Sequence, residues 1–143
     1  MSQFTLEYLI FVFLSSVGTL QLVFSLNGIK GMMFVRNLPK LTTAISVLLI
    51  GTVFFWFFTS SPRNIPDTSF GLDANDQATW FSVCALGALL FTALVTSVVN
   101  HGWGISPQCS SRGLDVLKET TFLKAISNRL SKLLKGTVIW TRQ

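Results

Sequence analysis

Residues 41–58, LTTAISVLLIGTVFFWFF, and residues 78–100, ATWFSVCALGALLFTALVTSVVN, decide the fold of this chain. Neither stretch contains a charged residue. At about 1.5 Å of rise per residue, the shorter stretch makes a helix about 27 Å long, close to the roughly 30 Å thickness of a hydrocarbon core. In lipid every backbone donor and acceptor needs a partner within its own segment, so both stretches are predicted to be transmembrane helices.

Residues 4–26 are predicted to form a third spanning helix. This segment has no Lys or Arg before Lys30 and carries Glu7 in its first turns. A secretory signal would instead open with a positive region and end in a small-residue cleavage site, so we expect a retained helix. The predicted fold is an all-α integral membrane protein, with a three-helix membrane domain over residues 1–104 and a cytosolic tail over residues 105–143.

The composition agrees with a membrane protein. Of 143 residues, 50% are hydrophobic and 12% are charged, about half the charged fraction of a soluble domain. The net charge of +5 lies beside the apolar stretches rather than over a soluble face. This arrangement favours lipid headgroups over nucleic acid as the partner of the positive charge.

The charge distribution predicts the orientation. Ten of the eleven Lys and Arg residues lie between the first two spans or after the third, and only Arg63 lies between the second and third. The positive-inside rule therefore predicts that the N-terminus is outside and the C-terminus in the cytosol. We expect the membrane to be the plasma membrane.

The tail contains a predicted amphipathic helix over residues 120–135, with Gly136 as its stop. Its apolar face would lie in the inner-leaflet interface, with anionic headgroups bound by basic residues. An alternative is that this face packs on a soluble partner or on the connector, residues 32–35. The apolar positions are Phe122, Leu123, Ile126, Leu130, Leu133 and Leu134, and the membrane-surface residues are Lys124, Arg129, Lys132 and Lys135.

Small residues mark two predicted helix-packing faces, because they let helix backbones approach closely in lipid. One is on the third span and the other on the first. Packing of the three helices on each other and docking of another membrane protein explain these faces equally well. By contrast, the aromatic band at residues 54–58 suits lipid. The packing residues are Cys84, Ala88, Thr92 and Thr96 on the third span, and Ser15, Gly18 and Thr19 on the first.

The sequence offers little for catalysis. It contains no nucleophile elbow, HExxH motif or cysteine pair at metal spacing. His101 is the single histidine, so bis-histidine haem ligation within the chain is excluded, and we expect no cofactor. Asp73, Asn75 and Asp76 lack EF-hand spacing, and we expect Asn75 or Asp76 to cap the third span rather than to bind calcium.

These observations predict a non-enzymatic accessory or interaction subunit of a larger membrane assembly. Its partner would be another membrane protein or further copies of itself, within the lipid bilayer. The alternative is a small oligomeric channel or transporter. Several copies would then be needed to enclose a polar path, which would be lined by Gln21, Ser15, Ser16 and Thr19.

Overall fold

A computed structural model describes residues 3–60, 73–102 and 116–140, with side chains described as far as residue 131, apart from that of residue 119. All the regular elements in these ranges are helical. In chain order they are α1 (Gln3–Leu26), a short 3-10 turn (Lys30–Met32), α2 (Pro39–Thr59), α3 (Ala74–Val99), α4 (Val116–Glu119) and α5 (Phe122–Trp140).

Helices α1, α2 and α3 are each long and apolar enough to cross a membrane. The prediction of three such helices is confirmed, and the observed bounds differ from the predicted ones by at most four residues. The largest difference is at the start of α3, which begins at Ala74 rather than near residue 78. Polar residues 75–77 are therefore helical, which gives the span an exposed first turn.

The caps of the helices correct part of the sequence analysis. Pro39 occupies the first turn of α2, where its missing N–H leaves no bond unmade. The residue that caps α3 is Asp73, whose carboxylate accepts a 2.7 Å bond from the Ala74 N–H, and not Asn75 or Asp76. Likewise α5 continues through Gly136 to Trp140, since one glycine costs a helix only about 1 kcal/mol.

Helix α1 packs along both α2 and α3. Near the start of α1, Tyr8 and Val12 form a buried cluster with Phe57 of α2, and Trp80 and Cys84 of α3 pack against it. Phe11 stacks on Phe57 with their ring centroids 4.3 Å apart. Phe57, one residue of the aromatic band, is therefore buried in the bundle. The other four residues of the band are exposed, as predicted for contact with lipid: Phe54, Phe55, Trp56 and Phe58.

The interior of the bundle is rich in hydroxyl and amide side chains, and its exterior is apolar. This distribution suits lipid, because the surrounding solvent is itself apolar and each internal polar group must find a partner within the protein. The buried polar residues of the three long helices are Thr5, Gln21, Ser25, Thr42, Ser46, Thr92, Thr96 and Ser97.

Candidate functional site

The candidate site lies at one end of the bundle, where the connector between α1 and α2, residues 27–38, folds back against the ends of α1 and α3. We call this the connector end. Gly31, Met32 and Met33 are buried there, and Met33 has no exposed surface. Backbone groups in such a buried segment that are not bonded within its short 3-10 turn need partners from neighbouring side chains.

Gln21 of α1 supplies two of these bonds. Its Nε2 donates to the Met32 carbonyl oxygen at 2.9 Å, and its Oε1 accepts from the Phe34 N–H at 2.9 Å. The side chain is 3% exposed. Both ends of the amide therefore hold the connector, which weakens the expectation that Gln21 lines a pore.

Asn100, at the end of α3, holds the carbonyl between those two groups. Its Nδ2 donates to the Met33 carbonyl oxygen at 3.1 Å and to the Thr96 carbonyl oxygen at 2.9 Å. Gln21 and Asn100 together bind three successive residues of the connector from two helices. We call this arrangement the amide clamp.

Hydroxyl groups fix the connector to the start of α2. The Thr42 hydroxyl donates to the Val35 carbonyl oxygen at 3.0 Å. The Ser25 hydroxyl of α1 donates to the Pro39 carbonyl oxygen at 2.7 Å and lies 2.8 Å from the Thr43 hydroxyl. These bonds join α1, the connector and the first turn of α2.

The tail packs against the other side of the connector. Leu117 of α4 is buried in a cluster with Met32 and Ala93. Thr120 and Thr121, between α4 and α5, are also buried. The connector's backbone at Gly31 lies against the carbonyl oxygens of Leu117 and Thr120, so close that a β-carbon on residue 31 would overlap them.

The first turn of helix α5 packs on the bundle, and side chains farther along it are more exposed. The Leu123 N–H donates to the Ser97 hydroxyl of α3 at 3.3 Å, and Phe122 and Ala125 pack against the Met32 cluster. Farther along, Ile126 and Leu130 are 40% and 53% exposed. The predicted apolar face is therefore divided, because Phe122 packs in the Met32 cluster whereas Leu123, Ile126 and Leu130 are exposed to a large extent.

A cavity of about 330 Å³ opens beside the amide clamp. It lies between the second half of the connector and the end of α3. The lining residues are Phe34, Val35, Arg36, Asn37, Val99, Asn100 and Gly102.

The predicted packing residues of α3 face inward. Ala88, Thr92 and Thr96 have no exposed surface, and Cys84 is half-buried. Contacts within the chain therefore bury this face, which favours internal packing over docking of a partner at these residues.

The predicted packing residues of α1 are divided. Gly18 is buried, and a β-carbon there would lie 2.8 Å from Ile50 Cγ1 of α2. Ser15 is half-buried. Thr19 is instead exposed, because it follows Gly18 in sequence and therefore lies beside, not on, the face of α1 that contacts α2. Its hydroxyl donates to the Ser15 carbonyl oxygen at 2.8 Å.

The other residues singled out in the sequence do not come together in one site. Lys124 is half-buried and Arg129 is exposed, whereas the side chains of Lys132 and Lys135 lie outside the described part of the structure, as do Cys109 and Asp67. His101 is exposed just after α3. In the described ranges, no three His, Cys, Asp or Glu residues are grouped so that they could hold a metal ion.

Sequence reasoning missed the partner of Gln21 and the role of Asn100. A polar amide at the end of an apolar span is a weak signal, since it is equally typical of a helix end exposed to headgroup water. A second signal in the sequence is Gly31 followed by two methionines. A small residue next to two large apolar ones is typical of a connector that is buried against the helices rather than exposed on the surface.

No protein-family model, curated protein or solved structure matches this chain.

Proposed function

We propose that this protein is a non-enzymatic, multi-pass subunit of a larger assembly in the plasma membrane. It would act by binding a second membrane protein or another copy of itself through the outward faces of α2 and α3. Helix α1, which packs on both other helices, would hold these two faces in a fixed relation.

The observation that carries this proposal is the open surface at two glycines in the spans. A β-carbon placed on Gly51 of α2 or on Gly87 of α3 would meet nothing within 4 Å. Both positions lie among exposed apolar side chains, including Leu48 and Leu90. Glycine between large apolar residues allows the backbone of a partner helix to approach closely in lipid.

The extent of outward surface supports the same proposal. Only 22–28% of the residues in the most apolar part of each span are buried within the chain. The inward polar groups are largely bonded internally, so the bundle presents apolar faces that lipid or another membrane protein must cover.

The experiment is native mass spectrometry of the full chain, extracted from its membrane in mild detergent. We expect the 15.8 kDa chain in a stoichiometric complex with a second chain or a second copy. Gly51→Leu and Gly87→Leu should dissociate this complex without lowering the melting temperature of the chain. Leu6→Phe, which adds bulk at an exposed large side chain of α1, outside the proposed binding faces, is the control. A monomer in both native extracts and membranes treated with cross-linker would contradict the proposal.

The orientation proposed for this protein has its N-terminus outside and its C-terminus in the cytosol. The supporting observation is that Lys30, Arg36 and Lys40 belong to the same end of the bundle as the start of the basic tail. An impermeant thiol reagent applied to intact cells should label Ser69→Cys and leave Cys109 unlabelled. Labelling of Cys109 alone would reverse the orientation.

Helix α5 is proposed to lie on the inner leaflet beyond its first turn. Its exposed Ile126 and Leu130 would enter the interface, and its basic residues would bind anionic headgroups. Those basic residues are Lys124, Arg129, Lys132 and Lys135.

A further inference from the structure

The outward face of α2 carries a regular pattern that packing within the chain does not use. The residues of α2 that are buried in the bundle are Thr42, Ser46, Val53 and Phe57. A second set lies on the opposite side of the helix, at alternating spacings of three and four residues, and each of its members is exposed. We call this set the α2 seam, and its residues are Leu41, Ala44, Leu48, Gly51, Phe55 and Phe58.

The spacing of the α2 seam is typical of a contact between two helices. Alternating steps of three and four residues give a repeat of seven, which keeps one stripe of a helix facing its partner in a left-handed crossing. Most helix pairs in membranes cross in this way. The seam covers residues 41–58, nearly the whole of α2.

Large and small residues alternate along most of the α2 seam. Leu48 and Phe55 are 71% and 72% exposed, and Gly51 between them has open space where a β-carbon would lie. Ala44 is the other small residue, between Leu41 and Leu48. Small residues let two backbones approach in lipid, and the large side chains on either side then fill the space between the helices.

Thr52 adds a polar group beside the α2 seam. It follows Gly51 and is exposed, and its hydroxyl is bonded to no group in the described part of the chain. In hydrocarbon such a group is stabilised by a hydrogen bond to a neighbouring helix. The other hydroxyl side chains of α2 each donate to a backbone carbonyl of this chain: Thr42, Thr43, Ser46 and Thr59.

The outward face of α3 does not carry the same pattern. The spacing of three and four residues that passes through Val83, Gly87, Leu90 and Leu94 next reaches Ser97, which is 3% exposed and accepts a bond from α5. The exposed repeat on α3 is therefore shorter, and Gly87 is its one small residue.

The α2 seam fits a second copy of itself. Copies of one chain enter the membrane in the same orientation, so their α2 helices would be parallel. About a two-fold axis along the membrane normal, each seam residue lies beside the same residue of the other copy. The small residues of both copies are then at the same depth. Because a hydroxyl both donates and accepts, Thr52 of each copy can bond the other copy in the same way.

We propose that two copies of this chain pair through the α2 seam, with their backbones closest at Ala44 and Gly51. This inference rests on the proposed function and names the partner of the α2 face. The outward face of α3 would remain for a different membrane protein.

Disulfide cross-linking of the full chain in its native membrane tests the pairing. Cys84→Ala and Cys109→Ala leave only the introduced cysteine to react. Leu48→Cys and Gly51→Cys should each give a disulfide-linked dimer, because a disulfide needs Cα atoms within about 7 Å of each other. No dimer from either variant would overturn the proposal.

Leu90→Cys is the control for random collision in the membrane. Leu90 is 60% exposed on α3, and it lies as far from Val99 as Leu48 lies from Pro39, so the two cysteines are at matched depth. This variant should give no dimer. As much dimer from Leu90→Cys as from Leu48→Cys would overturn the proposal.

Matched substitutions measure the affinity of the two copies in detergent. Gly51→Leu should raise the dissociation constant of the dimer at least about tenfold, because it separates backbones that approach over small residues. Gly87→Leu makes the same change at the open glycine of α3 and should leave this constant unchanged. If Gly51→Leu does not fold, Ala44→Leu tests the other small residue of the seam. Equal effects on α2 and α3, or no effect on α2, would contradict the proposal.

The result also separates this inference from the proposed function. A stoichiometric complex with a different membrane protein, without a dimer from either seam cysteine, would overturn the pairing of copies and leave the proposed function in place. A chain that is monomeric and without a partner would overturn both.

Discussion

The backbone of Gly31 lies against the carbonyl oxygen of Thr120, 89 residues farther along the chain, with no room for a side chain between them. This contact joins the connector to the tail. It accounts for the packing of Leu117 and Phe122, at the start of a tail with seven Lys and Arg residues, against the bundle.

We predict that Gly31→Ala separates the tail from the connector. The added methyl group would overlap two backbone carbonyl oxygens, which cannot move away as a flexible side chain can. Hydrogen exchange should become at least about tenfold faster over residues 117–125, because the burial of Leu117, worth about 1.5–3 kcal/mol, is lost. Gly51→Ala, at an open position, is the control. Unchanged exchange in Gly31→Ala would mean that the tail is not docked there.

We predict that Gln21→Met destabilises the bundle. Methionine has a similar volume but cannot bond the Met32 carbonyl or the Phe34 N–H, and each buried group left without a partner costs about 1–3 kcal/mol. Thermal unfolding in detergent should show a lowered melting temperature. Gln77→Met, at an exposed position, should leave the melting temperature unchanged. If both variants melt like the original chain, water replaces the amide and the clamp contributes nothing.

The amide clamp shows where sequence reasoning succeeds and where it ends. Uninterrupted apolar stretches identify the three long helices, because the requirement for internal backbone bonds leaves no other structure in lipid. The partner of Gln21 depends instead on how the connector folds back, which involves residues 11 to 13 positions away with no periodic pattern. The cap of α3, by contrast, depends on a contact between neighbouring residues, Asp73 and Ala74. The predicted cap residue was therefore only two or three positions from the observed one.

The small-residue face of α3 was predicted without its partner. Spacing of four residues places Ala88, Thr92 and Thr96 on one face, but the same pattern serves internal packing and docking of another protein. Only the burial of all three residues within the chain, where α3 packs on α1, the connector and α5, separates the two interpretations. The exposed Thr19 shows the limit of the pattern, since residues next to a packing face can lie just outside it.

We predict that Ala88→Leu disrupts the contact between α1 and α3. Ala88 has no exposed surface, and inserting a larger side chain into a packed interior costs about 1–3 kcal/mol. The melting temperature in detergent should fall. Leu90→Phe adds bulk on the same helix at a side chain that is 60% exposed, and it should have little effect. An equal response of the two variants would remove the packing role of this face.

We predict that the later part of α5 binds anionic membranes in a salt-dependent way. In nanodiscs of phosphatidylglycerol, amides of residues 126–131 should exchange more slowly than in phosphatidylcholine nanodiscs. The protection should weaken as salt is raised from about 0.1 M to 1 M, because the screening length falls from about 10 Å to 3 Å. Residues 117–122, held by protein contacts, should respond to neither change. Equal protection in both lipids would contradict headgroup binding by α5.

The last prediction concerns Thr92, whose buried hydroxyl has no hydrogen-bond partner among the described residues. Most other threonines of the spans bond the carbonyl four residues earlier, as Thr96 bonds the Thr92 carbonyl oxygen at 2.7 Å. A buried polar group without a partner lowers stability by about 1–3 kcal/mol. Thr92→Val keeps the branched shape and removes the hydroxyl, so it should raise the melting temperature of the detergent-solubilised chain.

Thr96→Val is the matched control for Thr92→Val, because it makes the same change at a hydroxyl that is bonded. It should leave stability unchanged or lower it slightly, since the loss of a satisfied bond is offset by the apolar gain. The sign of the difference between the two variants is therefore the decisive measurement. If Thr92→Val instead lowers the melting temperature more than Thr96→Val, the Thr92 hydroxyl has a partner inside the bundle, and the interior at this level is not dry.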